Sequence, residues 1–385
     1  MGYVAVKGGS NAIAASIERL AFERLKRGTV LRPEQIRAGM RGLVDQVMSE
    51  ASLYSESVAA LAIKQAEGSP EESVFILRAF RSTLPRIHYA HTIRSETMRI
   101  ERRISATFKD IPGGQILGAS YDYTHRLIDH ELAEETDESA DRWLREWFAR
   151  GVSGTDERDG TPRSLPKVID YLRSEGLMRE MEPTETPPRD ITKEALTFPA
   201  ARSQRLQVLT RGQTGAVTAL GYASLRGYGP LLHPTVAELR VGRLPVVVPN
   251  PFGDTDDEGD GYFIGEVKAT EVESVVPVGV PRGQGRTEIE FDIGYGVCFG
   301  QNETKAIAMS LLDQCLENPD PGHPTHDEEF VLLHIDSVEA TGFISHLKLP
   351  HYVTFQSELD SVRASRRTDQ ASMADRDVEL PGRNS

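Results

Sequence analysis

Two histidines, His346 and His351, flank a short bridge ending in proline in the stretch ISHLKLPHYVTFQ at residues 344–356. Paired imidazoles are metal ligands, and on a continuous helix such a pair sits three or four residues apart so that both rings share a face. Here the spacing is five. Pro350 has no N–H and disfavours helical geometry at Leu349, so the bridge is expected as an extended turn that could fold both rings toward one point. That supplies half of a zinc site, since a closed site needs four ligands and a catalytic one three plus water. The longer segment around it, HPTHDEEFVLLHIDSVEATGFISHLKLPH, holds half of the chain's ten histidines together with Asp327, Glu328 and Glu329. Such density suggests a metal or acid/base site, although a lone histidine is more often structural.

A second concentration is cationic. Residues 78–109 carry seven arginines (Arg78, Arg81, Arg86, Arg94, Arg99, Arg102, Arg103) and Lys109 against two acids, in a chain whose net charge is -14. Guanidinium forks match phosphate oxygens, so the run could cradle a polyphosphate; the bland alternative is a solvated helix face or an interface with an acidic partner. The next stretch, KDIPGGQILGASYDYTHRLIDH, joins a turn containing Gly113 and Gly114, whose backbone could approach an anion closely, to Tyr121, Asp122, Tyr123, His125 and Arg126. An ordinary tight turn explains PGG equally well, but the polar cluster places acid/base groups next to the cationic run. KGGS, with Lys7, resembles a phosphate-binding turn at a helix N-terminus but lacks Walker spacing. GYGVCFG misses dinucleotide-binding spacing and reads as structural. Arg205, Arg211 and Arg226 lie near glycines, where surface loops are the commoner explanation.

These residues need a scaffold. A chain of 385 residues with 39% hydrophobic residues can bury a substantial core. The acidic balance argues against a general nucleic-acid or membrane-surface binder. With two cysteines and no apolar run of membrane-spanning length, a cytoplasmic protein is expected. Apolar spacing of three and four predicts helices up to about Leu84, within a mainly helical region at 1–130 that holds the basic and glycine-rich motifs. Acidic, glycine-rich and proline-rich patches make 131–190 a variable, exposed linker. Residues 191–365 mix helices with strand-like runs such as AELRVGRLPVVVP and TEIEFDIGYGVCFG. Residues 366–385, without apolar periodicity, read as a disordered tail. The fold class is therefore α+β, a helical N-terminal block followed by a mixed region of helices and antiparallel strands.

Taken in order, YVAVKGG, MRIERRISATFKDIPGGQILG, YDYTHRL, SRLQVLTRG, RGYG and DEEFVLLHIDSVEATGFISHLKLPHYVTFQ resemble the PhnI family, the I subunit of the bacterial carbon-phosphorus lyase core complex. The resemblance runs from Tyr3 to about Leu359, with gaps in the linker and around NPFGDTDDEGDGY. It implies a cytoplasmic enzyme subunit working with PhnG, PhnH and the ATPase-like PhnL and PhnK. The reaction implied is transfer of the ribose triphosphate of ATP to a phosphonate with release of adenine, a C1' displacement akin to that of a purine nucleosidase. It also implies a homodimer that contacts PhnJ, the radical-SAM subunit, with His346 and His351 holding zinc together with a PhnJ cysteine. Such a displacement needs an acid near adenine, a carboxylate near C1' and cations for the anionic groups. On residue chemistry, Asp122 and His125, with Glu328 or Glu329 in reserve, are the candidates for the acid/base roles. Arg102, Arg103 and Lys109, with Gly113, Gly114 and Lys7, are the candidates for substrate binding. The alternative is a non-catalytic scaffold that docks the radical-SAM subunit through the shared zinc.

Overall fold

A computed structural model describes residues 9–150, 165–178, 187–226, 233–253, 258–283 and 285–378. The chain divides into two compact units, Leu31–Val338 and a smaller one that joins Met1–Val30 to Glu339–Ser385.

The large unit opens with four helices, α2 (Pro33–Gly39), α3 (Arg41–Ala51), α4 (Glu56–Gln65) and α5 (Pro70–Ser82). Their inner faces bury Ile36, Val44, Val47, Met48, Ala59, Ile63, Val74 and Leu77 in one cluster. Pro33 and Pro70 stand at first-turn positions, and the Ser69 hydroxyl accepts from Glu72 N at 3.3 Å to cap α5.

An antiparallel sheet follows, in the order β1 (Arg99–Ile104), β2 (Thr235–Val248), β3 (Tyr262–Pro281), β4 (Thr287–Phe299). Between β1 and β2 the chain forms α6 (Asp137–Ala149), α7 (Val168–Ser174), α8 (Arg202–Arg211) and α9 (Thr214–Leu225); after β4 come α10 (Glu303–Glu317) and α11 (Glu328–His334). Helix α10 lies against one sheet face. A Cβ at Gly294 or Gly296 would collide with the carbonyls of Ser310 or Ala306, which is the physical reason for the glycines of GYGVCFG. Leu239, Val241, Val272, Cys298 and Ala306 fill that side. On the other face, α7 buries Val168, Ile169 and Leu172 with Ile111, Ala237 and Val275.

Helices and an antiparallel sheet in one chain are the α+β class expected, with helices dominating up to Ser82. Two local readings differ. Residues 165–174, read as part of an exposed linker, contribute α7 to the core; a seven-residue helix is too short for its apolar period to stand out beside glycine-rich and proline-rich neighbours. The segment read as a tail from 366 is helical to Val378 within α13 (Tyr352–Val378).

The smaller unit contains α1 (Gly9–Leu25), the C-terminal part of α12 (Ser337–Ser345), and α13. Gly28, at φ 71°, closes the turn after α1. Ile13, Ile17, Leu20, Phe343, Tyr352, Val353 and Phe355 are all exposed. No helix among the described residues is long and apolar enough to cross a membrane.

Candidate functional site

Strand alternation sends neighbouring side chains to opposite faces of a sheet. In β1, Arg102 stands opposite Val241, and Arg103 opposite Arg240. The two adjacent arginines, read from sequence as one clamp, therefore work on different sides.

Arg102 is fully buried and organises the polar cluster after the glycine turn. Its guanidinium donates to Leu117 O and to Asp122 Oδ2, and pairs with Glu303 at the start of α10 at 2.9 Å. Asp122's other oxygen takes Arg126 at 3.4 Å, and Arg126 also donates to Tyr121 O at 3.3 Å. Gln301 fixes the same segment, donating to Ala119 O at 2.8 Å and to Glu303 at 3.0 Å. Gln301 N in turn donates to Asp45 at 2.9 Å. Burial, the largest influence, raises the Asp45 carboxyl above its ordinary value against the pull of that backbone hydrogen bond. The outcome is a half-exposed Asp122 carboxylate with both oxygens held by guanidinium groups, beside exposed Tyr121, Tyr123 and His125. A carboxylate fixed in this way can face a developing positive charge without reorienting.

Arg103 is differently committed. Its guanidinium is fully buried and donates to Glu238, to Pro112 O and, at 2.8 Å, to Pro166 O. The glycine turn wraps around it: Gly113 and Gly114 have φ of 84° and 78°, Gly114 N donates to Ile111 O at 2.8 Å, and a Cβ on Gly113 would strike Leu165. Lys109, on the same loop, is exposed. The turn and Arg103 thus support each other, while Lys109 and the outer backbone of the turn face solvent.

Beside Arg103, the sheet carries a buried ionic ladder that sequence reading did not pick out. Arg240 pairs with Glu271, with Nε at 3.0 Å. Lys167 reaches Glu271 at 3.1 Å and Glu273 at 2.8 Å, and the Tyr295 hydroxyl donates to Glu271 at 2.9 Å. Glu238 also accepts from Val168 N at 3.1 Å, tying α7 to the strand. Burial favours the neutral acid at Glu271, but Arg240 and Lys167 overcome it and bring its carboxyl down to about 2. At Glu273, burial and the Glu271 charge prevail over Lys167 and raise its carboxyl. Burial works against a charged Lys167, yet the two glutamates hold its ammonium above its ordinary value. The signal was in the sequence: VAELRVGRL and KATEVESVV place charges at alternate positions of strands otherwise apolar enough to be covered on both faces.

Other expected site residues fall elsewhere. Glu328 accepts from Ala200 N at 2.7 Å and lies near Arg205, at the start of α11 rather than in the Arg102–Asp122 network. Lys7 lies outside the described residues. His346 and His351, both half-buried in the smaller unit, do come together, with ring centroids 5.4 Å apart. The bridge expected to be extended is instead a 3-10 turn over His346–Lys348 followed by extended backbone at Leu349. Nδ1 of His346 faces Phe343 O, and Nδ1 of His351 faces Leu349 O at 2.6 Å. A carbonyl at Nδ1 accepts its proton and leaves the Nε2 lone pair available, the usual arrangement of metal-binding histidines. Among the described residues no group of three or more metal-binding side chains occurs.

Residues 2–369 match the family model described as bacterial phosphonate metabolism protein (PhnI). A Stutzerimonas stutzeri protein, HtxH, is 45% identical over 372 residues, 95% of this chain and 96% of its own length. A Rhizobium meliloti protein named alpha-D-ribose 1-methylphosphonate 5-triphosphate synthase subunit PhnI is 42% identical, with 97% of each chain covered. The Escherichia coli protein of the same name is 42% identical over 94% of this chain and 97% of its own.

Proposed function

The chain belongs to the PhnI family of bacterial phosphonate metabolism proteins, and we propose that it acts as a subunit of a ribose 1-methylphosphonate 5-triphosphate synthase in the carbon-phosphorus lyase pathway. In this reaction a phosphonate oxygen forms a bond to C1' of ATP while the C1'–N9 bond breaks. Adenine leaves with the bonding pair and takes up a proton, and the ribose keeps its triphosphate. The observation that carries a catalytic role for this subunit is the Asp122 carboxylate held by Arg102 and Arg126 beside exposed His125. Asp122 faces the positive charge that builds on the sugar, and His125 supplies the proton to the departing base. Arg102 orients Asp122. Lys109, Arg126 and the outer backbone of Gly113 and Gly114 meet the anionic groups, whereas Arg103 holds the loop that presents them.

The test is adenine release from ATP and methylphosphonate by the assembled complex, followed by chromatography. Asp122→Asn in a complex that still assembles should lower the rate by at least about 100-fold, the scale of a lost positioned electrostatic group. An unchanged rate rejects the assignment.

The histidine pair supports a second, compatible role. Two available Nε2 atoms fit a zinc ion shared with another chain, and bound zinc would tie His346 and His351 to a thiolate of the radical-SAM partner PhnJ. His346→Ala with His351→Ala should remove zinc from the purified complex, measured by metal analysis, and loosen PhnJ on gel filtration. If this double variant abolishes assembly while Asp122→Asn has no effect on adenine release, the subunit is a scaffold. Full zinc content in the double variant would discard the metal reading.

A further inference from the structure

The half of the arginine-rich run not used above converges with Arg211 at the ends of three helices. Arg78 and Arg81 lie in the last two turns of α5, Arg211 is the last residue of α8, and Glu50 lies in the last turn of α3. Arg78 is anchored there: it donates to Glu50 O at 3.1 and 2.8 Å, to Arg211 O at 3.2 Å and to Asp336 at 2.6 Å. Arg211 reaches Ser52 Oγ at 3.1 Å, and Arg86 pairs with Asp190.

Arg81 differs from these. Its Nε and Nη1 are shielded from solvent, and neither has an acceptor among the described residues. Capping of helix ends by cations explains Arg78 but leaves these donors of Arg81 unmatched. A shielded N–H without a partner costs free energy, and a charged one costs more.

The charges are also unbalanced. Among the described residues, four guanidinium groups (Arg78, Arg81, Arg86, Arg211) face two carboxylates, Asp190 and Asp336, so two positive charges remain. The third acid nearby, Glu50, interacts with the fully buried Lys305. Burial, reinforced by the charges of Arg78 and Arg81, pushes Arg211 down to about 10, and burial with Arg86 lowers Arg81. The cluster is not sealed, since the Arg78 and Arg86 side chains keep 15% and 35% of their surface exposed.

We propose that Arg81 and Arg211, backed by Arg78 and Arg86, form a binding site for a tetrahedral oxyanion, the phosphoryl or phosphonyl group of a small ligand. A dianion would match the two excess charges and accept from the unmatched donors of Arg81, and charge-assisted bonds of this kind are the strong ones. This site shares no residue with the Arg102–Asp122 network and does not depend on the catalytic reading.

The probe is inorganic phosphate, titrated into the full chain at constant ionic strength against chloride, with melting temperature and calorimetry as readouts. The wild type should show a saturable response. Arg81→Gln should weaken it at least tenfold, Arg81→Lys should weaken it less, and Asp122→Asn should leave it unchanged. Circular dichroism in phosphate-free buffer checks that each variant is folded. Competition separates the sources. Displacement of phosphate by ATP, with a raised KM for ATP in the Arg81→Gln complex, makes this a nucleotide-phosphate subsite. Displacement by methylphosphonate alone makes it a phosphonate site, and displacement by neither makes phosphate itself the ligand. No saturable response in the wild type, or an equal response in folded Arg81→Gln, overturns the proposal.

Discussion

The arginine-rich run splits at about residue 95 into two halves that the fold treats in opposite ways. In the later half, Arg99, Arg102 and Arg103 each meet a carboxylate: Glu266 at 2.9 Å, Asp122 with Glu303, and Glu238. In the earlier half, Arg78 and Arg86 each have one acid while Arg81 has two buried donors without acceptors. Equal density of like charge along the chain therefore carries two meanings. Where the sheet and the segments packed on it bring acids within reach of the arginines, the cations become structure. Where helix ends gather arginines without enough acids, charge is left for a ligand.

The largest expected effect tests the structural half. Arg103→Met leaves Glu238 buried without its partner, and removal of one member of a buried pair costs about 3–5 kcal/mol. A denaturant titration should show that loss, and adding Glu238→Gln should recover much of it. If Arg103→Met instead keeps its stability and loses ATP binding, the contrast between the halves fails, and Arg103 returns to the clamp role that its sequence position suggested.

How much of this could be read in advance depends on the range of the interactions. The proximity of His346 and His351 was legible because Pro350 acts locally, and the helical start was legible because its apolar spacing is local too. The division of labour between Arg102 and Arg103 was not. It depends on strand register with acids such as Glu238, 135 residues further along the chain. The membership of Asp122 in a site could be proposed from its neighbours, but Glu303, which pairs with its partner Arg102, and Gln301, which fixes the same segment at Ala119, come from the helix and loop after β4. The helical continuation from 366 to Val378 was not legible because that stretch shows no apolar periodicity in the sequence.

The second effect sharpens the comparison through pH. Glu271 has a folded-state value of about 2, below its unfolded value. Its contribution is therefore present above the unfolded value and is lost as pH falls through about 2. A depression of that size corresponds to about 3 kcal/mol. Glu273, whose value is raised, opposes it: protonation of Glu273 favours the fold as pH falls below its raised value. Chemical unfolding between pH 6 and 2 should show wild-type stability declining with acid more steeply than that of Glu271→Gln. Parallel curves for the two proteins would mean that the ladder does not hold Glu271 in its charged form.

The smallest effect belongs to the unmatched half, and its sign is the informative part. In phosphate-free, low-salt buffer, Arg81 sits among Arg78, Arg86 and Arg211 with too few acids, so replacing it removes repulsion along with two unsatisfied donors. Arg81→Gln should leave the fold as stable as the wild type or more stable by about 0.5 kcal/mol, since half-exposed charges interact weakly in water. Added sodium chloride should narrow the gap because screening relieves the wild type more than the variant. Saturating phosphate should reverse the order, as only the wild type gains a full set of acceptors. Arg102→Gln, which removes a cation already paired with Asp122 and Glu303, should lose stability in all three buffers. A loss for Arg81→Gln in phosphate-free buffer as large as that for Arg102→Gln would show that Arg81 is ion-paired as Arg102 is, and the distinction between the two halves would disappear.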